Sequence, residues 1–186
     1  MADFSRVQAL VVDDNAHMIQ IVRSMLLGFG ITRTYESRDA AEAFDIARNE
    51  AIDFIIVDYQ MPLLDGLEFT RMVRTAKDTR NPFIPIILLT AHTERSRIFA
   101  ARDAGVTEIC AKPITAKQLW MKIAAVVNNP RPFVRAPGFF GPDRRRKDGS
   151  APDGGDRRTT QLVETAPKTE TSPGMLAPES PKAASA

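Results

Sequence analysis

A chain of 186 residues carrying 25 basic and 23 acidic side chains is close to neutral, which excludes bulk charge as a means of holding nucleic acid or a membrane surface. One cysteine, Cys110, excludes an intramolecular disulfide and fits a reducing compartment. The opening Met-Ala-Asp-Phe-Ser-Arg is not a basic-then-apolar signal and no apolar run is long enough to cross a bilayer, so the expectation is a cytoplasmic chain without membrane insertion.

Val7 to Val12 predicts a first strand, ending in the pair Asp13-Asp14. Asn15 suits a helix N-cap, and Met18, Ile21, Val22, Met25 and Leu26 recur at the spacing of one helical face, which Gly28 and Gly30 close. Thr32 to Tyr35 is short and polar, as an edge strand should be. An alanine-rich run from Asp39 to about Asn49 predicts a second helix. Phe54-Ile55-Ile56-Val57 reads as a strand buried on both faces that delivers Asp58 at its carboxyl tip. Past Met61-Pro62 and Asp65-Gly66, the residues Phe69, Met72, Val73 and Ala76 mark a third helix. Ile86 to Leu89 is another buried strand, tipped by Thr90. Thr93 to Ala104 predicts a fourth helix stopped by Gly105, and Thr107 to Ala111 a fifth strand followed by Lys112-Pro113. Thr115 can cap a last helix bearing Leu119, Ile123 and Val126 on one side.

Alternation of strand and helix over residues 1–130 predicts an α/β domain, a doubly wound five-stranded parallel sheet with right-handed crossovers and helices on both faces. Ligands of such sheets bind beyond the carboxyl ends of the strands where the strand order reverses, between strands 1 and 3 for the order 2-1-3-4-5. Those two strands end in Asp13-Asp14 and Asp58. Three carboxylates in one place repel each other and call for a hard divalent cation, for which Mg²⁺ with oxygen ligands is the natural choice. Thr90 adds a hydroxyl and Lys112 an ammonium, completing the parts needed to receive a phosphoryl group on an aspartate. The stretch has no Gly-rich phosphate loop, so the phosphoryl group must arrive already mounted on a donor.

Asp13-Asp14, Asp58 with Met61-Pro62 and Asp65-Gly66, Thr90-Ala91 and Lys112-Pro113 together resemble the receiver domains of two-component response regulators, the CheY-like fold, over residues 5 to about 128. The resemblance implies the flavodoxin-like strand order 2-1-3-4-5 and a phosphoacceptor switch rather than an enzyme with a separate substrate. It implies Asp58 as phosphoacceptor, charged by a histidine kinase or phosphotransfer protein. It implies Mg²⁺ on Asp14 directly, on Asp13 through water, and on Asp58 and the Gln60 backbone carbonyl. Thr90 and Lys112 are implied contacts of the phosphoryl oxygens, with an unidentified downstream protein reading the face of helix 4, strand 5 and helix 5. Many members carry an aromatic residue where this chain has Ile109, a departure that bears on how the switch is read out. Gln60 and His92 occupy the positions that tune phosphoryl lifetime in the family. Related phosphatases need an acid two residues after the nucleophile, and Gln60 is not one. Lys112-Pro113 matches a bond that is cis in the family, although X-Pro bonds in folded proteins are mostly trans. His17 and His92 are read as exposed, Cys110 as a buried small hydrophobe, and Trp120 as either core edge or partner contact.

Residues 130–186 hold nine of the thirteen prolines and six of the ten glycines, so residues 131–186 are expected to form a disordered tail. They leave no room for a DNA-binding or enzymatic output domain, and the expectation is a single-domain regulator. Gly138-Phe139-Phe140-Gly141-Pro142-Asp143-Arg144-Arg145-Arg146-Lys147 is followed by Gly154-Gly155-Asp156-Arg157-Arg158, so Asp-Arg-Arg occurs twice, first beside two phenylalanines taken as exposed. One reading is a solvated basic linker. The other is an anionic guanine nucleotide held by arginine forks and carboxylates. The segment resembles the arginine-rich tails of a subset of CheY-like regulators that bind cyclic di-GMP and act on the flagellar motor or related surface machinery, which implies Asp143, Arg144, Arg145, Arg146, Asp156, Arg157 and Arg158 as nucleotide contacts.

Overall fold

The computed structural model describes residues 4–91, 94–143 and 161–163. Five parallel strands, β1 (Gln8–Val12), β2 (Arg33–Ser37), β3 (Phe54–Asp58), β4 (Ile86–Thr90) and β5 (Glu108–Ala111), form one sheet in the order β2-β1-β3-β4-β5. The helices between and after them are α1 (Ala16–Gly28), α2 (Ala40–Asn49), α3 (Gly66–Thr75), α4 (Arg95–Ala104) and α5 (Ala116–Asn128). The expected doubly wound sheet and its strand order are both present. Among the described residues no helix is long and apolar enough to cross a membrane.

Strand alternation sorts the core into two layers. Leu10, Val12, Ile55, Val57, Ile86 and Leu88 face one side, against alanines of α2 and α4 and against Leu67, Phe69 and Val73 of α3. Ala9, Val11, Phe54, Ile56, Ile87 and Leu89 face the other, against Ile19, Val22 and Leu26 of α1 and Leu119, Ile123 and Val126 of α5. Ile19 rather than Ile21 completes the buried face of α1, and Ile21 is 46% exposed. With apolar residues at 18, 19 and 21 the spacing allowed either, and packing on β1 selected Ile19. Trp120 belongs to the core edge, its ring 5.0 Å from Phe4 and 5.2 Å from Phe29 in edge-to-face contacts.

Local chemistry sets the helix starts. Asn15, Asp39 and Thr115 each accept a backbone N–H of their own first turn, and Asp65 with Glu68 closes a reciprocal capping box on α3. Helix α4 has no such device: Glu94 makes no side-chain cap bond, and the first turn holds no acid.

The boundary expected at residue 130 is not where the folded chain stops. β6 (Phe133–Ala136) and β7 (Phe139–Pro142) form an antiparallel hairpin, and β8 (Gln161–Val163) pairs on the other side of β6. Pro137 and Gly138, the latter at φ 75°, supply the residue pair of a type II turn. Phe133, Val134 and Phe140 are buried, and the rings of Phe133, Phe140 and Phe83 lie within 5.2–5.6 Å of one another. Gly141 is required here, since a Cβ on it would stand 2.8 Å from the Cα of Gly105 at the end of α4. The hairpin therefore packs on the α3–β4 loop and the C-terminal end of α4. Within the hairpin, Pro137 and Gly138 supply the turn and Gly141 the close approach. Arg144, Arg145, Arg146, Asp156, Arg157 and Arg158 lie outside the described residues, as does His92.

Candidate functional site

Sheet register brings the acidic residues together. Val12 pairs with Val57, so the next residues along, Asp13 and Asp58, leave adjacent strands at the same level. One oxygen from each of Asp13, Asp14 and Asp58 lies within 4.8 Å of the others. Asp13 and Asp58 are 2% and 6% exposed, while Asp14 is half-buried. Thr90, buried at the tip of β4, sits one residue beyond Leu89, which pairs with Asp58. Lys112 follows the Thr90–Ala111 pair, and its N–H donates to the Thr90 carbonyl at 2.7 Å. The Lys112–Pro113 peptide is cis.

The carboxylates of Asp13 and Asp58 are held in definite orientations. The Asn15 N–H donates to Asp13 Oδ1 at 2.9 Å, and the Gln60 N–H donates to Asp58 Oδ2 at 3.2 Å. Lys112 Nζ lies 2.8 Å from Asp58 Oδ1 and 3.4 Å from Asp13 Oδ2. Burial raises the Asp13 carboxyl above the usual range, an effect the Asn15 N–H and the Lys112 charge offset only in part. Burial by itself would lower the Lys112 ammonium, but its hydrogen bond to Asp58 and the charges of Asp58 and Asp13 raise it overall. Asp14 lends its backbone carbonyl to Arg38, at 3.1 Å from Nε and 3.0 Å from Nη2. Its carboxylate has no cationic partner among the described residues.

Three carboxylates facing one ammonium leave an excess of negative charge at a half-open rim. That donor set, all hard oxygens, fits a divalent cation such as Mg²⁺. The loop after Asp58 is fixed by close approach: the Gly66 N–H donates to the Tyr59 carbonyl at 3.0 Å, and a Cβ on Gly66 would run into the Asp58 carbonyl oxygen. Ile109 packs against the core layer that holds α2, α3 and α4, and offers no polar atom to Thr90.

Two groups escaped the sequence reading. Arg74, on α3, is 4% exposed. It donates from Nε to the Gly105 carbonyl at 3.1 Å and from Nη1 to the Pro82 carbonyl at 2.9 Å, with its guanidinium 5.1 Å from the centre of the Phe133 ring. Burial lowers its guanidinium to about 9, so it stays charged at neutral pH, and its Nη2 has no partner among the described residues. The second is Phe140, taken as exposed for a ligand but buried in the hairpin beneath Arg135, whose guanidinium lies 4.5 Å from the ring centre. Neither Arg74 nor Phe140 belongs to the acidic site.

A cleft of about 280 Å³ runs between α4 and α5 over the edge of β5, lined by Ile98, Arg102, Ile109, Lys122, Arg131 and Pro142, among others. Lys122 is paired with Glu108 at 2.7 Å, which leaves Arg102 and Arg131 as the cleft's other cations.

The chain is similar to known proteins. The family described as Response regulator receiver domain matches residues 9–124. The "Chemotaxis protein CheY" of Pseudomonas aeruginosa is 34% identical over 117 residues, which cover 63% of this chain and 93% of that protein. "Chemotaxis protein CheY-3" of Vibrio cholerae is 31% identical over 114 residues, 61% of this chain and 86% of that one. Among solved structures, the chemotaxis response regulator CheY4 of Vibrio cholerae matches with a TM-score of 0.59 at 29% identity, covering 64% of this chain and 98% of that chain. The family match ends before β6, so the hairpin lies outside it.

Proposed function

The chain belongs to the response regulator receiver domain family, and from that premise we propose that Asp58 is its phosphoacceptor, charged by a histidine kinase or phosphotransfer protein. The observation that carries the reading is the pairing of Asp58 Oδ1 with Lys112 Nζ at 2.8 Å inside a cluster of three carboxylates. A carboxylate oxygen of Asp58 forms a bond to phosphorus as the bond from phosphorus to the donor imidazole breaks, and the donor leaves as a free histidine side chain. Asp13, Asp14, Asp58 and the Gln60 carbonyl would hold Mg²⁺, which neutralises charge on the phosphoryl oxygens. Lys112 places an ammonium beside the same oxygens, and Thr90 offers its hydroxyl at the neighbouring strand tip. Phosphorylation adds close to two negative charges, and the resulting contacts of Thr90 and Lys112 bias the face of α4, β5 and α5 toward a downstream protein.

The test is incubation of the full chain with acetyl phosphate and Mg²⁺ beside the Asp58→Asn variant. A mass gain of one phosphoryl group in the parent chain alone is the expected outcome. An equal gain in Asp58→Asn assigns the acceptor to another residue and ends this reading.

A second input, cyclic di-GMP binding by the arginine-rich segment, has one observation behind it. β7 ends at Pro142 on the rim of the cleft that holds Arg102 and Arg131, two cations that offer a surface suited to an anionic nucleotide. Calorimetric titration of cyclic di-GMP into the full chain and into an Arg144→Ala, Arg145→Ala variant tests it. Binding lost in the variant supports the second input. Absence of binding to the parent chain removes it and leaves Asp58 untouched.

A further inference from the structure

Tyr59, the residue after Asp58, is pinned through its backbone on both sides. Its N–H donates to the Leu89 carbonyl at 2.8 Å, and its carbonyl accepts the Gly66 N–H at 3.0 Å. Its side chain, by contrast, reaches away to α4. The Tyr59 hydroxyl accepts a hydrogen bond from Arg97 Nη1 at 2.6 Å, and the Arg97 guanidinium carbon lies 5.2 Å from the centre of the Tyr59 ring. One side chain thus joins the residue bonded to Asp58 to the first turn of a helix.

Among the described residues, that first turn lacks the usual devices that hold a helix start. Glu94 gives no side-chain cap, and the turn carries Arg95 and Arg97 where the helix dipole favours anions. The buried residues of α4 are the two alanines Ala101 and Ala104, both toward its C-terminal end, while Phe99 is half-exposed. That C-terminal end is gripped by the β6–β7 hairpin against Gly105. Among the described residues, helix α4 is therefore fixed at its C-terminal end by packing and tied at its start by the Arg97–Tyr59 hydrogen bond, one residue along the chain from Asp58.

We propose that Tyr59 and Arg97 form a latch that passes the state of Asp58 to α4, with both acting as positioning residues rather than touching the phosphoryl group's chemistry. The latch rests on the reading of Asp58 as phosphoacceptor. In the unmodified chain the phenol holds the guanidinium. A phosphoryl group on the adjoining residue brings nearly two negative charges into the same rim, competes for the Arg97 cation, and releases the first turn of α4. Coupling of this kind is reciprocal: whatever weakens the latch must favour the phosphorylated arrangement to the same degree.

The experiment titrates the full chain and its Tyr59→Phe, Arg97→Gln and Arg97→Lys variants with beryllofluoride in Mg²⁺, an equilibrium mimic of an aspartyl phosphate. Hydrogen exchange of the α4 amides is followed in parallel. Tyr59→Phe keeps the ring and deletes only the acceptor, and it should bind beryllofluoride roughly two- to tenfold tighter, the worth of one hydrogen bond. Arg97→Gln removes the latch together with the cation the phosphoryl group competes for, so it should gain less than Tyr59→Phe, while Arg97→Lys, which can still donate to the phenol, should stay close to the parent. Exchange in the first turn of α4 should rise on beryllofluoride binding in the parent and start high in Tyr59→Phe. A purely structural role would lower the Tm and leave these affinities alone. Equal or weaker binding in Tyr59→Phe, or an unchanged α4 response, overturns the latch. Acetyl phosphate labelling separates the two claims. A parent chain that labels on Asp58 while the variants behave like it defeats the latch only, whereas a parent chain that takes neither label nor beryllofluoride defeats the phosphoacceptor reading and the latch with it.

Discussion

At the scale of residues, the acidic site holds charges that its own fold disfavours. Asp13 is 2% exposed and its carboxyl is raised by burial, so in the folded state its charged form is less favoured than in the unfolded chain. Replacing it by the neutral isostere should stabilise the metal-free protein at neutral pH while weakening Mg²⁺ binding. Thermal unfolding in chelator, with Mg²⁺ titrated in afterwards, checks both halves. An Asp13→Asn variant that is less stable in chelator contradicts the charge argument. Lys112 carries the opposite sign. Its folded value is raised above 10.5 by Asp58 and Asp13 against the effect of burial, so its contribution to stability is complete below 10.5 and is lost as pH rises through the raised value. In chelator the parent chain should lose Tm across that window more steeply than Lys112→Met. The same variant should be labelled by acetyl phosphate about a hundredfold more slowly, the usual cost of deleting one preorganised charge stabiliser.

At the scale of elements, β6 and β7 change what the chain beyond α5 is for. The rings of Phe133 and Phe140 fill the space over Phe83, and Phe133 covers the guanidinium of Arg74. A buried arginine that bonds the Pro82 and Gly105 carbonyls ties α3 to the loop before β4 and to the turn that ends α4. Opening the hairpin would expose that charge and the rings together. Phe133→Ala should cost about 3 kcal/mol in urea unfolding, the range of a buried aromatic truncation, with the transition remaining single. A cost near that of an exposed phenylalanine would mean that the hairpin contributes nothing to the receiver's stability. The hairpin also explains why α4 can be held at its C-terminal end yet sparsely held at its start, the asymmetry on which the Tyr59–Arg97 latch depends.

At the scale of the whole molecule, the sheet and the acidic site were legible in the sequence because both rest on local signals. Strands buried on two faces read as unbroken apolar runs, and the candidate site residues Asp13, Asp58 and Thr90 sit at the first polar position after such runs, with Lys112 just past the less buried edge strand β5. What stayed hidden depends on partners distant in the chain. Arg74 reads as a solvent-facing arginine until Phe133, fifty-nine positions on, covers it. Phe133, Val134 and Phe140 sit among prolines and glycines that suggest disorder, and only Phe83 and Gly105 reveal the surface they fill. The choice of Ile19 over Ile21 on α1 likewise belongs to packing rather than to spacing. The claim on which the rest depends is that this fold exists to present Asp58. The most direct measurement is to phosphorylate the full chain with acetyl phosphate in Mg²⁺, trap the acyl phosphate by borohydride reduction, and map the converted residue by peptide mass spectrometry. Conversion at Asp58, abolished by chelator, is the predicted result. Conversion at another residue, or none in a chain shown to be folded and loaded with Mg²⁺, contradicts the account.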